Sequence, residues 1–153
     1  RQLGELAVGA LYPGINDPHT AMSVLDRLGA ALCDLAGANL PSGVTLRGDE
    51  VVLVVPSATY GSLADVMFHM IRQNAAGSTA VMIRLLDVLT AVIACESDQD
   101  RRAVLLRHAD LVWTDAQRDI ANEGDRADVG RRHATLRRTV THGALGAIVA
   151  SIP

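Results

Sequence analysis

The chain has 153 residues, of which 49% are hydrophobic and 20% charged, enough apolar material for one folded domain and too much for a disordered segment. The formal net charge is −3 and acidic and basic residues interleave, which argues against nucleic-acid binding through bulk charge. No apolar run reaches the roughly 18–20 residues that span a bilayer. Because the sequence starts within a helical pattern, we expect residues 1–153 to be one soluble domain of a longer protein.

Periodicity and turn residues predict three elements in the first part of the chain. Apolar positions predict a first helix from Gln2 to Leu11, which Pro13 ends because the residue before a proline is pushed out of helical geometry. A second helix is predicted from Pro18 to about Gly37. Its predicted core face consists of Met22, Leu25, Leu28, Leu32 and Leu35. The β-branched stretch "GVTLRGDEVVLVVP" then predicts a β-hairpin turning at Gly48.

Four further helices are predicted after the hairpin, over residues 60–74, 79–96, 98 to about 122, and 126–152. In the first of these, the predicted core side is Leu63, Val66, Met67 and Met70, and the predicted solvent side is Asp65, His69, Arg72 and Gln73. The helix over 79–96 is apolar nearly all round, which is typical of a bundle centre. The fold class is therefore predicted to be mainly α, a single bundle of about six helices with one inserted β-hairpin.

The stretch "PGINDP", residues 13–18, joins the first two helices. Turn chemistry accounts for four of its residues, Pro13, Gly14, Asp17 and Pro18. It does not account for Asn16 or for His19 and Thr20, which follow it. A helix N-terminus offers free N–H groups and the positive end of a dipole. This loop is therefore a candidate site for an anion or a small polar ligand.

No coherent catalytic or metal-binding set is visible. His19, Ser23 and Asp26 have the residue types of a hydrolase triad, but side chains from one helix face do not converge as a triad requires. Asp65 and His69 have metal-ligand spacing without an obvious third ligand nearby in the sequence. The two cysteines form no CxxC motif. The sequence therefore favours a non-enzymatic function and predicts neither a cofactor nor a metal.

The first third of the chain, "RQLGELAVGALYPGINDPHTAMSVLDRL", is similar to the signature of a bacterial family of predicted membrane proteins, domain-of-unknown-function family twenty-two fifty-four. The matching residues are Arg1, Gln2, Leu3, Ala7, Ala10, Leu11, Pro13 to Pro18, Thr20, Ala21, Asp26, Arg27 and Leu28. A weaker block, "MIRQNA", matches at residues 70–75. Tyr12 and His19 depart from the family pattern, which argues against a shared catalytic role for His19.

The resemblance implies where a shared site would lie and what the parent protein looks like. The residues it implies for such a site are Asn16, Asp17, Thr20, Asp26, Arg27 and Arg72. It also implies a parent protein with N-terminal transmembrane helices, of which this chain would be the soluble region on the cytoplasmic face of the bacterial inner membrane. The family supplies no agreed activity.

Two functions stay open at this point. The first is a sensory or scaffolding domain that forms a homo-oligomer, because a lone hairpin is marginal in water and its open edges favour pairing with another copy. Its other partners would be the transmembrane segments of the parent protein. The second is an enzyme or a binder of a small anionic or polar ligand at the "PGINDP" loop, completed by Arg72 and Gln73 from a neighbouring helix.

Overall fold

The computed structural model describes residues 2–12 and 17–149, and for residues 144–149 it describes the backbone alone. Six helices and one β-hairpin make up this part of the chain, which confirms the predicted mainly α fold. In chain order the elements are α1 (Gln2–Ala10), α2 (Pro18–Asp34), β1 (Val44–Arg47), β2 (Glu50–Val54), α3 (Tyr60–Asn74), α4 (Thr79–Cys95), α5 (Gln99–Asp119) and α6 (Glu123–Val149). Gly143 interrupts α6 with a φ of 73°, outside the helical region.

Helix α4 forms the centre of the bundle, as its nearly continuous apolar sequence predicts. It packs against α2, α5 and α6, while α1 packs on α2 and α3, and α3 on α5. Its buried residues are Val81, Met82, Leu85, Leu86, Val88, Leu89, Val92 and Ile93. The approach of α2 to α4 depends on Gly29, since a Cβ atom there would lie 2.5 Å from Cγ1 of Val88.

Helix α3 has the predicted bounds, but its predicted core face is wrong. The buried residues are Tyr60, Ala64, Phe68, Ile71 and Arg72, whereas Val66 and Met70 are exposed. The buried stripe carries the two aromatic side chains, which remove the most apolar surface from water. Arg72 can lie in this stripe because an acidic side chain of α5 pairs with it.

The predicted ends of the last two helices also need correction. Helix α5 begins at Gln99, one residue later than predicted, because Asp98 is its N-cap and accepts hydrogen bonds from the N–H groups of Asp100 and Arg101. Helix α6 begins at Glu123, three residues earlier than predicted, and Asn122 Oδ1 accepts from the N–H of Asp125 in its first turn. Capping by a side chain one turn earlier is the physical reason for this difference.

Candidate functional site

The described part of the predicted loop begins at Asp17, and Pro13, Gly14 and Asn16 lie outside the described residues. Asp17 is the N-cap of α2. Its Oδ1 accepts from the backbone N–H of His19 at 3.1 Å and of Thr20 at 3.2 Å, and its Oδ2 accepts from the Thr20 hydroxyl at 2.6 Å. The Thr20 hydroxyl contributes most to holding the pKa of Asp17 below its usual value. Pro18 opens the helix, as its turn chemistry predicts.

This cap has a consequence for the predicted anion site. The Asp17 carboxylate occupies the N–H groups of His19 and Thr20, which are the donors that an anion at this helix end would use. In the described part of the loop, the first N–H groups of α2 are therefore already hydrogen-bonded to the Asp17 side chain. The ligand-binding roles of Asp17 and Thr20 stay predictions.

Two other residues of the family pattern lie on the surface of α2. Asp26 Oδ1 accepts from Nε of Arg84 in α4 at 2.6 Å, and both side chains are a little over two-fifths exposed. An ion pair this exposed contributes at most about 1 kcal/mol to stability. Arg27 beside it is exposed. This pair ties α2 to α4 at the bundle surface.

Arg72 lies in a buried ion pair between α3 and α5. Its Nη1 donates to Oδ2 of Asp115, and the two side chains are 9% and 8% exposed. Nη2 of Arg118 approaches the other carboxylate oxygen at 3.1 Å. Among the described residues, no hydrogen bond or ion pair joins Arg72 to Asp17 or Asp26, so the structure does not gather the predicted site residues into one bonded cluster.

A second polar cluster between α3 and α5 was missed from the sequence. Nη2 of Arg107 donates to Oδ1 of Asp65 at 2.5 Å, and Nε2 of His108 lies 3.1 Å from the same oxygen. His108 is fully buried, with its ring edge-on to Phe68. Burial, with a smaller effect of the Arg107 charge, lowers the pKa of His108 to about 4, so the ring is neutral at pH 7. The Asp65 to His69 spacing pointed to this part of α3, but Arg107 and His108 are some forty residues away.

The β-hairpin carries many of the large apolar side chains that are exposed in the described part of the chain. Every residue of β1 and β2 is exposed. A bulge between Thr45 and Leu46 shifts the register, so that Val44 lies opposite Val54 and Leu46 opposite Val51. Because opposed residues share a face, as do alternate residues of a strand, these four aliphatic side chains project from one side. Their exposed fractions lie between 42% and 67%.

One arginine holds both ends of the hairpin segment against α5. Nη2 of Arg101 donates to the carbonyl oxygen of Ala38 at 2.7 Å, and Nη1 donates to that of Leu35 at 3.2 Å. The same guanidinium lies 5.1 Å from the ring centre of Tyr60, the first residue of α3. Glu96, whose side chain is fully buried, lies 3.5 Å from Nη1. We call this set the hairpin clamp.

Two absences apply to the described part of the chain. None of its helices combines the length and the apolar composition that a bilayer crossing needs. None of its His, Cys, Asp and Glu side chains assemble into a group of three or more that could hold a metal ion.

Comparison with known proteins identifies a family but indicates no activity. The model of the family described as "Predicted membrane protein (DUF2254)" matches residues 1–91. Uncharacterised proteins of Mycobacterium bovis and of two strains of Mycobacterium tuberculosis are each 35% identical over 130 residues, which cover 84% of this chain and 25% of theirs. The chain thus spans about a quarter of the length of these relatives. No solved structure matches it.

Proposed function

The chain belongs to the DUF2254 family of predicted membrane proteins, and from this premise we propose that it is a scaffolding or sensory domain through which a longer bacterial membrane protein self-associates on the cytoplasmic side. The observation that carries the proposal is the hairpin, an isolated two-stranded sheet with one wholly aliphatic face and two open edges. The partner is a second copy of the chain.

An isolated hairpin of this kind is expected to have little stability by itself. Two-stranded hairpins are at best marginally stable in water, and independent stability needs more strands or a packed face. Within the described residues, β1 and β2 pack extensively only against each other. Apart from Arg47 and Glu50 beside the turn, the strands contain neither the charged residues nor the proline that proteins use to keep edges from pairing. Contact with another molecule could provide hydrogen-bond partners for the edge strands or bury the aliphatic face.

Charge at the hairpin tip favours a protein partner over a lipid surface. The tip carries Arg47, Asp49 and Glu50, with more negative than positive charge. Anionic headgroups attract clusters of lysine and arginine, and this tip would repel them. Two hairpins related by a two-fold axis can instead join edge to edge into one four-stranded sheet, or stack their aliphatic faces. Either is a closed arrangement that needs only one kind of surface.

The test compares two matched charge substitutions by sedimentation equilibrium. Leu46→Glu places a carboxylate on the aliphatic face of the hairpin, and Leu6→Glu places one at an equally exposed leucine of α1. We expect the wild-type chain to be oligomeric at tens of micromolar. We expect Leu46→Glu to weaken the association about a hundredfold or more, because an unpaired charge is costly in an apolar contact, and Leu6→Glu to leave it unchanged.

Three results would contradict the proposal. One is a wild-type chain that stays monomeric at tens of micromolar. Another is an equal effect of the two substitutions. The third is a monomer that cosediments with vesicles of anionic lipid unless Leu46 is replaced, which would assign the hairpin to a membrane surface.

The second candidate function, an anion site at the "PGINDP" loop, has less support because Asp17 satisfies the helix N-terminus itself. It is tested by titrating inorganic phosphate into the wild-type chain and Asp17→Ala. Saturable binding of phosphate to the wild-type chain, strengthened in Asp17→Ala because the carboxylate no longer competes for the N–H groups, would restore this candidate. Failure of phosphate to bind would leave Asp17 as a helix cap.

A further inference from the structure

Helices α1 and α3 leave an open groove between them of about 1020 Å³. Its apolar walls are formed by Val8 of α1 and by Val66 and Met70 of α3. The α1 side is partly bare, because two of its lining residues are Gly4 and Gly9. The groove lies beside the Asp65–Arg107 pair, and none of its described lining residues belongs to the hairpin.

The two glycines are not required by the packing of the protein itself. Glycine inside a helix costs about 1 kcal/mol relative to alanine, and neither residue has the positive φ that would justify it. A Cβ atom on Gly9 would meet no atom of the described residues within 4 Å, and one on Gly4 would lie 3.8 Å from the carbonyl oxygen of Val66, an ordinary contact. The part of the groove next to Gly4 and Gly9 therefore has room for side chains, and no described side chain fills it.

The groove also carries charges of both signs. Asp65, His69 and Arg107 line it on the α3 and α5 side, and Glu5 lines it on the α1 side. Arg107 and His108 both contact Oδ1 of Asp65, and no described residue donates a hydrogen bond to Oδ2. The side chains of Asp65 and Arg107 are about half exposed. An acceptor oxygen and a guanidinium are thus presented together, which matches a head group that has both a positive and a negative charge.

The dimensions favour a small molecule over a protein partner. The lining segments of α1 and α3, residues 4–9 and 65–70, are six residues each, about 9 Å of helix. A stable protein interface buries at least about 1,000 Å², more than such short walls offer. Small-molecule sites are about 300–1,000 Å³ and mostly apolar with a few polar groups, and this groove is at the upper end of that range.

We propose that the α1–α3 groove binds a small zwitterionic amphiphile, with a medium-length alkyl chain along Val8, Val66 and Met70 and its charged head at Asp65 and Arg107. The cationic part of the head pairs with the free Asp65 oxygen, and the anionic part with the guanidinium of Arg107. Because Gly4 and Gly9 have no side chains, they leave room for the alkyl chain of the ligand along α1.

The test is calorimetric titration with n-octylphosphocholine below its critical micelle concentration. Gly9→Leu fills the groove at a position where added atoms meet nothing, and Ala30→Leu adds the same side chain to an exposed position of α2. We expect saturable one-to-one binding to the wild type and to Ala30→Leu. Gly9→Leu should weaken it at least about tenfold, the loss expected when two methylene groups are kept out of an apolar site.

Two further measurements make the test independent of how Gly9→Leu folds. Val66→Asn changes an exposed wall residue and should also weaken binding, with unchanged helical circular dichroism. Octanoate, which has the same chain length and only a negative head, should bind more weakly than n-octylphosphocholine. Equal binding by wild type and both groove variants, or no saturable binding by the wild type, would overturn the proposal. So would an oligomer that Gly9→Leu dissociates, because the groove would then be an interface between copies.

Discussion

The buried pair of Arg72 and Asp115 predicts unequal consequences for removing each partner. Replacing Arg72 with leucine leaves Asp115 buried, but Nη2 of Arg118 still lies 3.1 Å from its second oxygen. Replacing Asp115 with leucine leaves a buried guanidinium whose Nε already has no hydrogen-bond partner among the described residues. The charge left behind is thus partly compensated in the first variant and uncompensated in the second.

The size of the difference follows from what buried pairs cost when they are broken. Removing one partner of a buried pair costs about 3–5 kcal/mol of folding free energy, whereas replacing both with apolar residues is often neutral. We therefore expect about 3 kcal/mol for Arg72→Leu and about 5 kcal/mol for Asp115→Leu. The melting temperatures of these two variants should differ by about 4–8 °C, since each kcal/mol shifts a domain of this size by about 2–4 °C. The double variant should recover most of the loss.

Urea denaturation followed by circular dichroism measures all four proteins of this double-mutant cycle. Arg27→Leu serves as the control, because Arg27 is an exposed arginine of α2 and its replacement should change stability by less than about 0.5 kcal/mol. If Arg72→Leu costs less than 1 kcal/mol, or costs more than Asp115→Leu, the reasoning fails. The first result would also favour the hypothesis that Arg72 binds a ligand.

Three further predictions concern single positions. Gly29→Ala should cost about 1–3 kcal/mol of unfolding free energy by overpacking, with partial recovery in a Val88→Ala background, both measured by urea denaturation. Asp17→Ala should lower stability by about 1 kcal/mol through loss of the cap, whereas Asp17→Ser should retain most of it. As pH falls from about 6.5 towards 4, the unfolded chain takes up a proton that buried His108 does not. The free energy of unfolding should therefore fall across this window, less steeply in His108→Gln, and an identical slope would contradict the assignment.

The sequence was informative wherever structure depends on neighbours along the chain. Helix α3 has its predicted bounds because Thr59 caps it and the hairpin precedes it, and Asp17 and Pro18 start α2 as their chemistry predicts. The same is true of the hairpin, whose turn forms at Gly48 with a φ of 63°. These features are set by local hydrogen bonds and backbone preferences.

Burial and pairing were less predictable because they depend on distant partners. Leu3 and Leu6 of α1 fit an apolar stripe yet are exposed, while the smaller Ala7 and Ala10 face the bundle. Arg72 was assigned to a solvent face because its partner, 43 residues away in α5, gives no signal in the local pattern. Of the residues predicted for a ligand site, Asp17 has a structural role that its sequence context explains, and the shared site itself stays a prediction.

The hairpin clamp holds both ends of a segment, residues 41–58, that contains neither the core-packed Leu40 nor the α3 cap Thr59. Ala38 and Tyr60, which flank this segment, both contact the Arg101 guanidinium, the first through a hydrogen bond of 2.7 Å and the second through a ring centred 5.1 Å away. A flexible linker would join residues 40 and 59 in a shortened chain. Under the proposed function, self-association and folding would depend on separate pieces of the chain, and a shortened version lacking residues 41–58 should give the helical bundle as a monomer.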